Sequence, residues 1–226
     1  MKKISAQKEI VECRRCDRLV HYREQVARDK VRRFRDWDYW GRPVPSLGAP
    51  DARLLIIGLA PAAHGGNRTG RIFTGDRSGD WLYRALYRFG FSNQAQSTSM
   101  NDGLTLKDCY ITAAVHCAPP DNKPLPSEYM NCQSYLLEEL QQLRNLKVVV
   151  ALGGIAFKSY FNARKKLGWV NPSPLPVFGH GVRADLSGGM TVIGSYHPSQ
   201  QNTQTGRLTE AMLDAVFREA REVLGG

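Results

Sequence analysis

A long glycine-rich loop carries the densest group of reactive side chains in the sequence. Residues 58–76 read GLAPAAHGGNRTGRIFTGD and combine a histidine, two arginines, a phenylalanine and an aspartate. The loop follows the apolar run Leu54–Gly58, which is typical of a buried strand, and precedes a helical pattern at Trp81–Phe89. Open α/β sheets bind ligands at the carboxyl ends of their strands. We therefore expect residues 58–76 to form part of a ligand site.

A second polar loop, residues 196–207, reads YHPSQQNTQTGR and follows another apolar run. His197 could donate a hydrogen bond to a developing anion, and Ser199 could donate to a phosphate. A single histidine after a strand is more often a structural residue. Its position opposite another glycine-rich loop favours the functional interpretation, and the polar run Gln200–Asn202 suits a groove.

Four of the five cysteines have a spacing that could hold a metal centre. Cys13 and Cys16 form a Cys-x-x-Cys pair, Cys117 follows the second predicted strand, and Cys132 lies 15 positions further on. Four thiolates suit a [4Fe–4S] cluster or a structural zinc ion. The alternative is that they are small buried hydrophobes, and Cys109, at the head of a strand, fits that second interpretation. A metal centre here would fasten the N-terminal arm to the sheet.

The composition favours a polyanion as partner. The 226-residue chain has a formal net charge of +10 and a pI of about 9.6, and many of its arginines crowd residues 14–35. The alternative is an ordinary basic protein. The sequence contains no apolar stretch long enough for a transmembrane helix, and its start does not resemble a signal peptide. These features predict a cytoplasmic, intracellular protein that does not rely on disulfides.

The elements that position these residues follow from the hydrophobic pattern. The sequence predicts four buried strands, at Leu54–Gly58, Tyr110–Val115, Val148–Leu152 and Thr191–Ser195, and helices at Trp81–Phe89, from Ser127, at Gly154–Leu167 and at Leu208–Leu224. This alternation predicts an α/β fold of three layers, α/β/α, with a four-stranded parallel sheet. Residues 92–107 and Asn171–Gly189 are expected to be irregular. We expect one domain over residues 1–226, in which residues 1–45 form an N-terminal arm.

Three motifs and the four cysteines identify a family resemblance. The motifs are residues 58–76, the segment YITAAVHCAPPDNK at residues 110–123, and His197-Pro-Ser. The chain resembles the uracil-DNA glycosylase superfamily and, within it, the iron–sulfur enzymes of family 5, or type B. The resemblance implies a four-stranded parallel sheet between helices and a structural [4Fe–4S] cluster on Cys13, Cys16, Cys117 and Cys132.

The resemblance also implies a reaction. A monofunctional, monomeric glycosylase would flip uracil, and other deaminated bases such as hypoxanthine or xanthine, out of DNA. It would then hydrolyse the N-glycosidic bond through an oxocarbenium-like transition state and leave an abasic site. The implied catalytic residues are Asp76, His197 and Asn122, and Phe73 matches the aromatic residue that stacks on the flipped base. The implied substrate-binding set is Gly58, Leu59, Ala60, Pro61, Ala63, His64, Phe73, Ala113, Ser199 and Arg207.

Two departures from related families affect these expectations. Leu59 and Ala60 stand where those families place an acid or its amide, so we expect Asp76 to supply the carboxylate. Ala113 stands where an asparagine reads the base edge, which predicts a broader range of bases. Asp76 could instead cap the next helix, but Ser78 and Asp80 lie closer to its predicted start.

The sequence leaves two other functions as alternatives. The missing acid and asparagine would suit a non-catalytic iron–sulfur protein that binds DNA. A phosphate cradle in a nucleotide hydrolase or transferase is disfavoured, because the chain has no Gly-x-x-x-x-Gly-Lys-Ser/Thr motif.

Overall fold

A six-stranded sheet with four parallel central strands organises the molecule, as the computed structural model of residues 5–225 shows. The strands are β1 (Leu47–Gly48), β2 (Leu54–Gly58), β3 (Cys109–Ala113), β4 (Val148–Leu152), β5 (Arg183–Leu186) and β6 (Met190–Ser195), in the spatial order β1-β3-β2-β4-β6-β5. The pairs β3·β2, β2·β4 and β4·β6 are parallel, and both edge strands are antiparallel to their neighbours. The predicted α/β fold with a parallel core is confirmed.

Helices cover both faces of the sheet. They are α1 (Ser5–Val11), α2 (Asp17–Asp29), α3 (Gly66–Thr69), α4 (Arg77–Arg88), α5 (Pro126–Gln142), α6 (Gly154–Lys166), α7 (Gln200–Gln204) and α8 (Glu210–Val223), with 3-10 turns at Arg32–Phe34 and Pro120–Asn122. Alternate residues of β2 separate the two cores. Leu54 and Ile56 pack with residues of α4 and α8, whereas Leu55 and Ile57 pack with residues of α1, α5 and α6. In the described residues, no helix has both the length and the apolar character needed to cross a bilayer.

The two edge strands were not predicted. β1 has two residues, and β5 lies inside Asn171–Gly189, which the sequence predicted to be irregular. Three of the four β5 residues are at least partly exposed, so β5 has no apolar run that could distinguish it from a loop. Edge strands of this kind are stabilised by pairing with β3 and β6, which local sequence does not reveal.

Helix α4 begins at Arg77, four residues before the predicted start at Trp81. Asp76 is its N-cap, because the carboxylate accepts a hydrogen bond of 3.0 Å from the Gly79 backbone N–H. The expectation that Ser78 or Asp80 would cap this helix is therefore wrong. The first turn, Arg77–Asp80, is entirely polar apart from Gly79, so it lacks the apolar periodicity on which the predicted boundary depended.

The arginine-rich N-terminal stretch is not one solvated face. Arg23 is buried with 2% of its surface exposed, and Arg18 forms an ion pair of 2.8 Å with Glu128 on α5. Arg14, which precedes α2, pairs with Glu24 of that helix. Part of the local positive charge is thus paired or buried, whereas Arg32, Arg33 and Arg35 in the adjoining turn are exposed.

Candidate active site

A cleft of about 550 Å³ opens at the carboxyl ends of β2, β3 and β6. It brings together ten of the predicted catalytic and substrate-binding residues: Gly58, Leu59, Ala60, Pro61, Phe73, Asp76, Ala113, Asn122, His197 and Ser199. Gly58 and Ala113 end the neighbouring parallel strands β2 and β3 and are register partners. The sheet topology therefore gathers residues from three distant segments, as the sequence predicted.

Phe73 forms one wall of the cleft in a constrained conformation. Its φ is +51°, in the left-handed region that a bulky residue rarely adopts. The ring lies directly on Gly58, where an added Cβ would meet Phe73 Cζ at 2.7 Å. Gly79 supports the same turn, because a Cβ there would lie 1.9 Å from the Phe73 carbonyl oxygen. Two glycines thus leave the space in which the Phe73 ring and backbone fit.

His197 faces Phe73 across the cleft. The two ring centroids are 5.8 Å apart with an interplanar angle of 30°. Burial lowers the pKa of His197 to about 4, so its imidazole is neutral at physiological pH. Asn202 holds the backbone by donating 2.8 Å to the His197 carbonyl oxygen, while no described residue hydrogen-bonds the imidazole. A neutral ring whose N–H has no protein partner is available to donate to a ligand.

Asp76 combines its capping bond with a position in the cleft. Its Oδ2 lies so close to Gly65 that a Cβ on that glycine would come within 2.2 Å. Burial raises the pKa of Asp76, and Asp80 adds to this, while the backbone N–H groups of Gly79 and Ser78 and the charge of Arg68 act in the opposite direction. A raised pKa makes the ionised carboxylate a stronger base.

Arg68 holds the loop that carries Asp76, and sequence reasoning missed it. Its Nε donates 2.7 Å to the His64 carbonyl oxygen and its Nη2 donates 2.9 Å to the Gly75 carbonyl oxygen. The guanidinium lies 3.9 Å from the Phe34 ring centroid and 4.2 Å from that of Trp37. Because its hydrogen-bond partners are backbone carbonyls, no sequence motif could have identified this role.

The remaining predicted residues lie at the rim of the cleft or outside it. Asn122 is exposed at the rim with a φ of +56°, which asparagine tolerates better than most residues. Ala63 and His64 line an adjoining cleft of about 1030 Å³ instead. Arg207 lines neither cleft and lies 4.6 Å over the Tyr196 ring. The cleft at the ends of β2, β3 and β6 is also lined by residues outside the predicted catalytic and substrate-binding set: Ala62, Ile72, Arg77, Ser78, Asp121, Lys123, Gln200 and Gln201.

Four cysteines meet at one corner of the molecule. Cys13, Cys16, Cys117 and Cys132 all line one small cavity between α2, the segment after β3, and α5. Cys109 lies apart from them, buried at the start of β3. Within residues 5–225, no three histidine, cysteine or carboxylate side chains form a group that could hold a metal ion in this arrangement.

Hydrogen-bond donors surround the cysteine corner. Arg23 Nη1 donates 2.9 Å to Cys117 Sγ, and Asn131 Nδ2 donates 3.2 Å to Cys16 Sγ. The buried Arg23 guanidinium has its nearest carboxylate, that of Glu24, at 3.9 Å, and its Nε has no hydrogen-bond partner. A buried cation requires negative charge nearby. Deprotonated thiolates on the four cysteines would supply it.

Comparison with known proteins decides the family. A profile described as "Uracil DNA glycosylase superfamily" matches residues 45–221. The chain belongs to this superfamily. It is 51% identical over 214 residues to a type-5 uracil-DNA glycosylase of Mycobacterium tuberculosis, covering 94% of this chain and 78% of the relative. It is 48% identical to type-5 proteins of Pyrobaculum aerophilum, covering 93% of this chain and 88% of the relative, and of Thermus thermophilus, covering 94% of each.

This membership confirms the predicted family and the predicted class of enzyme, a uracil-DNA glycosylase-type hydrolase. The matched region contains β2, β3, β4 and β6 and all the cleft residues, whereas Cys13 and Cys16 precede it.

Proposed function

We propose that this protein excises uracil from DNA by hydrolysing the N-glycosidic bond of a flipped nucleotide, leaving an abasic site. The observation that carries the proposal is the convergence of Phe73, Asp76 and His197 in one cleft of a chain from this superfamily. The relatives named as type-5 uracil-DNA glycosylases, at about half identity, support the choice of base. Because its substrate is DNA, we also propose that the enzyme acts inside the cell.

Phe73 and His197 would hold the base in different ways. A base sandwiched between two rings needs centroids about 7 Å apart, twice the usual contact distance, and these rings are 5.8 Å apart. The base would therefore stack on Phe73 beside the imidazole rather than between the rings. In that position the edge of the base meets the neutral His197 N–H, which can donate to a base oxygen as negative charge develops.

Asp76 would assist the water that attacks the sugar. Its carboxylate lies in the same cleft, and its raised pKa suits a group that orients and deprotonates water. The same negative charge would stabilise the oxocarbenium-like sugar. Asn122 at the rim would provide a second polar contact for the water or the sugar.

The end of β3 supports a base range that extends beyond uracil. Ala113 presents a buried methyl group at the position next to Gly58, so no side-chain amide reads the base edge from this strand. A site with fewer obligatory hydrogen bonds discriminates less between bases. We propose that hypoxanthine and xanthine are also excised.

We also propose that the cysteine corner holds a structural [4Fe–4S] cluster. A [4Fe–4S] cluster is held by four cysteine thiolates, and these four cysteines line one cavity. The buried Arg23, with its bond to Cys117, provides the positive charge that such an anionic group requires. The cluster would fasten α2 to α5 and would take no part in the hydrolysis. Roughly four irons and four sulfides per chain in the purified protein would support it, and a single zinc ion would contradict it.

Excision from duplexes containing one uracil, hypoxanthine or xanthine tests the proposal. Abasic sites are revealed by strand cleavage in hot alkali. Release of uracil under single-turnover conditions, without strand cleavage before the alkali step, is the expected result. Failure to release any of the three bases would contradict the enzyme function, whereas release of uracil alone would contradict only the broader range.

A further inference from the structure

A second cleft adjoins the cleft at the ends of β2, β3 and β6, which we call the base pocket, and apart from the residues that the two share it has no role in the proposed hydrolysis. Its volume is about 1030 Å³, and it shares six lining residues with the base pocket: Ala62, Asp76, Arg77, Asp121, Asn122 and Gln200. The two clefts are therefore continuous. If one unit of a polymeric ligand occupies the base pocket, the next unit of that polymer lies at the opening of the second cleft.

Aromatic side chains line this second cleft. Phe34 and Trp37 come from the turn after α2, and Trp81 comes from α4. The Trp37 indole is 37% exposed, although one part of it already covers the Arg68 guanidinium at 4.2 Å. The cation–π contact with the buried guanidinium fixes the orientation of the indole, and the exposed part of the indole can then stack on a ligand. Nucleic-acid bases stack on such platforms irrespective of their sequence.

Two cations stand at the edges of the same cleft. Arg33 and Arg77 are exposed, and neither forms an ion pair in the described part of the chain. This contrasts with Arg14 and Arg18 of the same basic region, which are paired with Glu24 and Glu128. Unpaired arginines beside aromatic rings are the combination that binds the backbone and bases of a single strand.

We infer that this cleft binds an unstacked nucleotide next to the flipped one on the same DNA strand, with its base on Trp37 and flanking phosphates at Arg33 and Arg77. The inference rests on the proposed function. One phosphodiester joins neighbouring nucleotides of a strand, so the continuity of the two clefts favours the same strand over the base opposite. The turn after α2 would thus take part in substrate recognition.

A cycle that combines protein and substrate changes tests this inference. The substrates carry one uracil and lack the base on its 5′ side, on its 3′ side, or opposite it. Single-turnover excision at subsaturating enzyme is measured for the wild type, Trp37→Ala and Trp37→Phe. Trp169→Ala is the matched control, because Trp169 also covers a buried arginine, Arg164 at 5.5 Å, but lies outside both clefts.

Removal of one same-strand neighbour is expected to slow the wild type by roughly 5- to 150-fold, the usual value of one stacked base. Trp37→Ala should be slowed to a similar extent on the intact substrate and lose its sensitivity to that neighbour. Trp37→Phe should keep most of the sensitivity, and Trp169→Ala should behave like the wild type.

The alternatives give distinct results. If Trp37 only covers Arg68, the effects of Trp37→Ala and base removal multiply independently, which overturns the inference. If Trp37→Ala instead loses its sensitivity to removal of the base opposite the uracil, that result also overturns the inference. A wild type that does not excise uracil at all contradicts the proposed function instead. As a second readout, Arg33→Gln should reduce the slope of log affinity against log salt by about 0.7–0.9, and an unchanged slope removes the phosphate contact.

Discussion

The carboxyl groups of Asp76, which is half-buried, and Glu139, which is fully buried, differ in the contacts that their surroundings leave open to a ligand. Glu139 on α5 is fully enclosed, and its carboxyl oxygens accept hydrogen bonds from the hydroxyls of Ser46, Thr112 at 2.7 Å and Tyr110 at 3.0 Å. Asp76 lies in the cleft, and its Oδ1 accepts a backbone N–H at the start of α4. Burial raises the pKa of both groups.

The comparison separates a carboxyl group that holds the fold together from one that can act on a ligand. The hydrogen bonds of Glu139 join α5 to β3 and to the segment before β1, and Glu139 does not line the base pocket. Asp76 is bonded by the backbone but remains at the wall of the cleft. A raised pKa alone therefore does not identify a catalytic group, and access to the cleft is the additional requirement.

The largest expected effect follows from removing the charge of Asp76 while keeping its capping bond. Asn is as good an N-cap as Asp, so Asp76→Asn should preserve helix α4. Single-turnover excision should fall by about 10²- to 10⁴-fold, the usual contribution of a general base. A variant with unchanged unfolding temperature and unchanged excision would show that Asp76 is only a cap.

Removal of the Glu139 carboxyl should lower the stability of the protein and leave excision nearly unchanged. Glu139→Ala leaves buried hydroxyls, that of Tyr110 above all, without their acceptor and creates a cavity. The free energy of unfolding should fall by about 3 kcal/mol, measured by urea denaturation, while excision per folded molecule stays near the wild-type rate. A large loss of excision by the folded variant would remove the distinction between the two carboxyls.

The pH dependence of stability should report Glu139. Burial raises the pKa of Glu139 to about 7 in the folded protein, above its ordinary value near 4.3. The native state therefore binds the proton more tightly, so this stabilisation is complete below about pH 4.3 and is lost as the pH rises through 7. Glu139→Gln, which mimics the protonated form, should remove on the order of 1–3 kcal/mol of this pH dependence.

The smallest effect is expected from Thr209→Ala, which removes a helix cap outside the base pocket and serves as a control for the loss of capping by Asp76. Thr209 caps α8 by accepting a hydrogen bond of 3.2 Å from the Met212 N–H, and it does not line the base pocket. Thr209→Ala should lower the free energy of unfolding by about 1 kcal/mol without slowing excision. Asp76→Ala should cost similar stability but abolish most activity. Equal effects of both substitutions on excision would show that loss of a helix cap explains the Asp76 phenotype.

The sequence predicted what depends on local pattern and family motifs. Continuous apolar runs predicted the four central strands, and the motifs predicted that Phe73, Asp76 and His197 would share one site. Contacts between distant segments could not be predicted. Glu139 lies in a run, LLEEL, that is typical of a helix surface, and its partner Ser46 is 93 positions away. Arg68 acts through backbone carbonyls, which carry no side-chain signature.

The pH profile of single-turnover excision tests the central distinction most directly. We expect the rate of the wild type to rise with pH as Asp76 ionises, with a midpoint above the ordinary aspartate value near 3.9, because burial raises the pKa of Asp76. This acidic limb should persist in Glu139→Gln and disappear in Asp76→Asn. A limb that remains in Asp76→Asn, or that disappears in Glu139→Gln, would show that Asp76 is not the carboxylate whose ionisation controls excision.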